Sequence, residues 1–147
     1  MMRKILLIML CSAFLFGSEI VKTSNCSVDD TIYNLKNIIK KRGLTFFALI
    51  NYKGEAQYVD MKLNKAKMLI FGSAKITTPL MQQDMLVGLG LPIKILVFMD
   101  NDGKVKMAYN DGSWLRDKNL RDSQKLSKQL ERTMDEITKE ARQCKQD

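Results

Sequence analysis

Apolar and polar positions along the chain follow two periods, and the switches between them mark out its elements. Glu19 to Ser24 alternates like a short first strand. Ile32, Leu35, Ile38 and Ile39 then recur at helical spacing. Ser27 stands three residues before Asp30, a capping box with Asp in the Glu place, and Gly43 offers the left-handed residue that ends such a helix. Leu44 to Ile50 is a compact apolar run that reads as a buried strand, broken by Tyr52-Lys53-Gly54. A shorter helix from about Glu55 to Leu63 and a strand from Lys67 to Phe71 follow. Thr78 and Pro79 predict an N-cap with proline at the first helical position, and that helix stops at the Gly88–Pro92 segment. Ile93 to Met99 is the strongest strand pattern, with Lys104 to Tyr109 as its hairpin partner. The last helix runs from about Ser123 to Gln143, with Leu126, Leu130, Met134, Ile137 and Ala141 on one stripe and Asp135 and Lys139 as an outer i,i+4 pair.

The hairpin register follows from its loop. A three-residue turn, Asn101-Asp102-Gly103, pairs Met99 with Val105, Val97 with Met107 and Ile95 with Tyr109, all apolar. A two-residue turn would set Met99 against Lys106. The strand's other face carries Leu96 and Phe98 with Lys94 beside them. The Leu44 run is apolar on both faces too: Phe46, Ala48 and Ile50 on one, Phe47 and Leu49 on the other. Helices on one side only would leave the second set in water, so that face is expected to meet a second copy, giving a homodimer, or the rest of the chain. The pattern as a whole predicts an α+β two-layer sandwich, a mixed or antiparallel sheet of about five strands backed by helices.

The chain has 147 residues, 46% hydrophobic and 27% charged, the balance of one globular domain. It contains no His, which excludes Ser-His-Asp catalysis and His-ligated zinc. Arg3-Lys4, the apolar run Ile5 to Phe16 and small Gly17-Ser18 form an export segment, too short for the roughly 20 residues of a membrane span. Cys11 lies inside that run after Leu10, a poor lipoprotein context. A retained anchor competes with cleavage, because Leu15 and Phe16 suit the cleavage site badly. The reading adopted is a signal peptide over residues 1–18 and a single domain over 19–147, periplasmic or secreted. Removing Arg3 and Lys4 leaves 22 basic residues against 16 acidic, a charge of +6. The lysines read as a solvated basic surface, with at most peripheral attraction to anionic lipid headgroups, and not as a nucleic-acid site. Cys26 and Cys144 remain, one near each end. They are candidates for a disulfide in an exported chain, with two unrelated thiols as the alternative.

Four segments carry candidate chemistry. The loop Gly72, Ser73, Lys75, Thr77, Thr78 before a helix, with Lys94 nearby, suits a small anion; a tight turn plus a cap explains the same residues. Lys94 in an apolar strand is a candidate nucleophile or base, against an ion pair with Asp111. Met81 and Met85 at i,i+4 spacing raise Cu(I) binding, against methionine as core filler. Asp100-Asn101-Asp102-Gly103 lacks the later ligands of a calcium loop and reads as the hairpin turn. Trp114 lines a pocket or pins the last helix.

Phe71-Gly72-Ser73-Ala74-Lys75, Thr77 to Met81, Leu91 to Val97, Asp102 to Val105 and Tyr109-Asn110-Asp111 together resemble the domain of unknown function 302 family. The resemblance runs over about residues 19–142. It implies a two-layer α/β domain, often dimeric, and no assigned reaction. Many members carry Asp-His where this chain has Asn51-Tyr52, and Asn-Pro where it has Ser73-Ala74, so an activity needing that His is not expected here. The function expected first is an exported, non-catalytic, dimeric domain that binds a small anionic ligand or an envelope protein, without metal or cofactor. An enzyme using Lys94 or Lys75 is the alternative, and a Cu(I)-binding protein the second.

Overall fold

The strands are β1 (Glu19–Ser24), β2 (Thr45–Asn51), β3 (Ala66–Gly72), β4 (Ile93–Met99) and β5 (Val105–Asn110). The helices are α1 (Val28–Lys41), α2 (Tyr52–Tyr58), α3 (Ala74–Gln83) and α4 (Ser123–Ala141), with 3-10 turns at Met85–Leu89 and Ser113–Asp117. The computed structural model describes residues 19–144, so the export segment expected over residues 1–18 lies outside the described residues. The sheet order is β1-β5-β4-β3-β2, antiparallel at every neighbour. The first strand is therefore at one edge, and α1 carries the chain across the sheet to β2 at the other.

Helix α1 starts where the capping box lies. The Ser27 hydroxyl accepts the Asp30 amide at 3.1 Å and donates to the Asp30 carboxylate at 2.6 Å. It ends at Gly43, whose φ is +68°. The three-residue turn holds as well: Gly103 has φ +76°, and β4 and β5 pair Met99 with Val105 and Val97 with Met107. Asp100 fastens the turn, its Oδ1 accepting the Asp102 and Lys104 amides.

Helices α1 and α4 cover one sheet face. Leu35, Ile39, Met134 and Ile137 meet Leu69, Phe71, Ile95, Val97 and Met107 there, all of them buried. Removing each such side chain from water is worth ~1.5–3 kcal/mol. Cys26 and Cys144 are joined in a disulfide, Cα atoms 5.4 Å apart, which ties the start of α1 to the end of α4. A smaller cluster of Leu80, Val87 and Leu115 lies beyond the sheet, and Trp114 packs against it together with Leu126 and Leu130 of α4. Trp114 thus pins the last helix, and its ring lies so close over Gly90 that an added Cβ would be 2.6 Å away.

Four expectations need correction. Helix α2 begins at Tyr52 rather than about Glu55, because the Asn51 side chain accepts the Gly54 amide and caps the chain directly as it leaves β2. Helix α3 begins at Ala74 with Ser73 as N-cap, so Thr78 is not the cap and Pro79 lies inside the helix. β3 extends to Gly72, and the Ile76 and Thr77 amides already bond the Ser73 carbonyl; burial of Leu80 outweighs the helical bond that proline removes. Asp135 does not pair with Lys139 but reaches across to Lys22 of β1. Finally, Phe46 and Phe47 exchange faces relative to simple alternation. Phe46 pairs with Phe71 and Ala48 with Ile70, leaving Phe47 as the extra residue of a bulge. One inserted residue reverses the alternation on one side of it.

Candidate functional site

That bulge builds the second sheet face. Phe46 falls on the helix side, where the Lys36 ammonium lies 4.9 Å from its ring centroid. Phe47 joins Ala48 and Ile50 on the opposite side, its ring over Gly72: a Cβ added there would sit 3.2 Å from the ring and 3.6 Å from Pro92. Gly72 is therefore small because an aromatic ring covers it. Along the same face run Met68 and Ile70 of β3 and Leu96 and Phe98 of β4, cross-strand neighbours that are all only half-buried. Phe47 itself is 52% exposed.

Toward one end this face deepens into a groove of about 510 Å³. Leu63, Ala66, Leu96, Phe98 and Met99 line it, and Lys62 and Asp100 bring one charge of each sign. At the opposite end stands Lys94, exposed and paired in register with Ile70. It forms no ion pair among the described residues. The expected partner, Asp111, instead accepts the Ser113 amide at 2.8 Å, in the cleft between β5 and α4.

The anion candidates are only partly brought together. Gly72 ends β3 two residues beyond Ile70, the register partner of Lys94, and Ser73 is the N-cap of α3. Lys75 is exposed on the first turn of α3, and Ser73 makes no side-chain cap bond. The Thr77 amide is held by the Ser73 carbonyl at 2.8 Å, and Thr78 is in mid-helix. Met81 is half-buried and Met85 exposed, and among the described residues no three His, Cys, Asp or Glu gather where a metal would sit.

Two polar arrangements lock the edges of the helix layer. Lys22 donates to Asp135 and, at 3.1 Å, to Thr138, with the Tyr109 ring below. Burial alone would lower the Lys22 pKa, but the bonds to Asp135 and Tyr109 outweigh it and raise it; Lys22 in turn holds the Asp135 carboxyl down. Asp29, at the start of α1, accepts Lys65 and Lys67 at 2.7 Å each, which lowers its pKa to about 2. Sequence reading missed both, because each joins residues far apart in the chain. Both tie the helix layer to the sheet, and Lys22, Tyr109 and Asp135 line the same cleft as Asp111.

With this geometry, a model of the family described as domain of unknown function DUF302 matches residues 20–140. The chain belongs to the DUF302 family. The crystal structure of an uncharacterized conserved DUF302 protein from Bacillus stearothermophilus superimposes with a TM-score of 0.74, over 84% of this chain and 98% of that one, at 16% identity. That likeness is one of fold. A relative from Brucella suis named fluoride-specific ion channel FluC 1 is 34% identical over 92 residues, which is 63% of this chain and 36% of the relative. A protein of the same name from Brucella abortus matches at 34% over 92 residues, 34% of its length. This DUF302 chain thus spans about a third of the length of the curated relatives it matches. Among the described residues no helix is long and apolar enough to cross a membrane.

Proposed function

We propose that this DUF302 chain is an exported, non-catalytic domain of the cell envelope that pairs with a second copy through its uncovered sheet face and binds a small ligand or protein partner there. The observation that carries the reading is the face itself. Phe47, Ile50, Met68, Ile70, Leu96 and Phe98 form one apolar surface that, among the described residues, no helix seals. A surface of that kind marks an interaction site. The disulfide supports export, since such bonds persist in oxidising compartments. Lys94 is the cationic group assigned to an anionic ligand at one end of the face.

The relatives named as fluoride-specific ion channels support a place beside a membrane protein. What they share with this chain covers about a third of their length, and the described part of that shared unit holds no membrane-crossing helix. The unit is read as a folded companion to a channel.

Native mass spectrometry of unreduced protein purified from the envelope tests the reading. A dimer whose mature chain begins near Glu19 is expected, and Leu96→Glu with Phe98→Glu is expected to give a folded monomer. A wild-type protein that is monomeric at every concentration would sink the pairing. A chain still carrying residues 1–18 in the cytoplasmic fraction would sink the export.

A further inference from the structure

We propose that the cleft between the β1–β5 edge of the sheet and helix α4 binds a small acidic amino acid, a molecule with two carboxylates and one ammonium. The cleft holds about 520 Å³, the size of a small-molecule site. Ile20, Lys22, Tyr109 and Asp111 line it from the strand side. Lys128, Glu131, Arg132 and Asp135 line it from α4, at helical spacing on one stripe. Ile20 and Tyr109 belong to the core beneath the helices, so the cleft is on the opposite side of the sheet from the proposed pairing face and does not rest on that reading.

Both ends of the cleft are fixed. At one, Gly112 touches α4 so closely that an added Cβ would lie 2.3 Å from the Ser127 carbonyl oxygen, and this seats its neighbour Asp111 beside the helix. Arg116 clamps the same end, donating to Ser127 at 3.0 Å and to Glu131 at 2.5 Å. At the other end Lys22 of β1 is bonded to Asp135 and Thr138. Tyr109, only 6% exposed, lines the cleft from within the core. Walls tied in this way keep their charged groups in place before a ligand arrives, which lowers the ordering cost of binding.

Charge selects the ligand. Lys22 is taken by Asp135, and Glu131 by Arg116. Lys128 and Arg132, exposed on successive turns of α4, form no ion pair among the described residues. Asp111 forms none there either: its Oδ1 accepts the Ser113 amide at 2.8 Å, and its second oxygen is left to the cleft. Internal pairing therefore leaves two cations and one carboxylate. Lys128 and Arg132 are about 6 Å apart along the helix axis, a separation that suits two carboxylates on a short chain better than one compact anion. Asp111 supplies the acceptor for the ligand's ammonium, and Ile20 an apolar contact for its methylenes. A dicarboxylate without the amino group would set Asp111 against like charge, and a neutral amino acid would leave one cation unpaired. Those mismatches are the source of selectivity.

The test is isothermal titration calorimetry on the purified, unreduced protein with L-glutamate, L-aspartate, inorganic phosphate and glutarate, the dicarboxylate that lacks the amino group. Saturable one-to-one binding of L-glutamate or L-aspartate is expected, with glutarate and phosphate at least about tenfold weaker. Lys128→Gln and Arg132→Gln should each weaken amino-acid binding by at least about tenfold. Asp111→Asn can still accept the Ser113 amide but carries no charge, and it should bring L-glutamate down to the level of glutarate. Lys128 and Arg132 hold no other element in place, so unchanged melting curves are expected for their variants. No saturable binding, glutarate or phosphate bound as tightly as L-glutamate, or full affinity in any of the three variants would each overturn the proposal.

Discussion

The two faces of the sheet are built from the same kinds of residue and end in opposite states. On one, Leu69, Ile95 and Val97 are fully buried under α1 and α4. On the other, their immediate neighbours Ile70, Leu96 and Phe98 keep partial contact with water. The strands alternate side chains between faces, so no local preference tells the two apart. What differs is the supply of cover. Helices α1 and α4 are amphipathic and joined by the disulfide, so both go to one side together. The lesson is that apolar alternation marks a face able to be buried, and only the placement of helices says which face is.

The largest expected effect concerns the cover itself. C26A/C144A removes a cross-link across 118 residues of sequence. It is expected to cost about 4–5 kcal/mol in the chain-entropy picture, read as a lower urea midpoint. Because the bond joins α1 to α4, hydrogen exchange in those helices should rise more than in β3 and β4. Uniform acceleration would show that the two layers are not separable in this way.

Paired truncations sharpen the contrast directly. Leu69→Ala or Ile95→Ala is expected to cost about 3 kcal/mol in denaturant unfolding, since each leaves a cavity in sealed packing. Ile70→Ala or Leu96→Ala, measured at dilutions that separate any dimer, should cost about 1 kcal/mol. Equal losses would break the distinction between the faces.

A third test sits between layer and surface. Gly90→Ala drives a methyl group to 2.6 Å from the Trp114 ring. A loss of about 1–3 kcal/mol and a red-shifted Trp114 emission are expected, without change in sheet content.

The smallest effect is electrostatic. The Asp29 carboxyl is lowered to about 2 from an ordinary 3.8 by Lys65 and Lys67. A depressed folded-state pKa adds stability that is fully present above the unfolded value and is lost as pH falls through the folded one. Asp29→Asn should therefore lower stability at neutral pH by under ~1 kcal/mol, since the pair is half exposed. That difference should fade between about pH 4 and pH 2. A gap that persists below that window would assign Asp29 a role other than charge pairing.

Local chemistry was legible wherever neighbours in sequence decide the outcome. The Ser27–Asp30 cap, Gly43, the Gly103 turn with its register, the Ile93–Met99 strand and the stripe of α4 all rest on interactions within a few residues, as do the periods that predict two layers. The block from Phe71 to Asp111 was enough to suggest the DUF302 family. The Cys26–Cys144 pair was readable as a candidate, and only folding brought the two ends together to join them. The bulge at Phe47 depends on where β3 sits, because register is a property of two strands. Asp135 lay within reach of Lys139 along its helix, yet Lys22 arrives from β1 and takes it. Ser73 displaced Thr78 as the cap because β3 already held the chain as far as Gly72. The exposure of Met85, Leu86 and Leu89 was likewise invisible, since an apolar run in sequence carries no sign of whether the fold will cover it. The chain determines which residues seek burial, and tertiary structure decides which of them obtain it, because the two main covering helices among the described residues both lie on one side of the sheet.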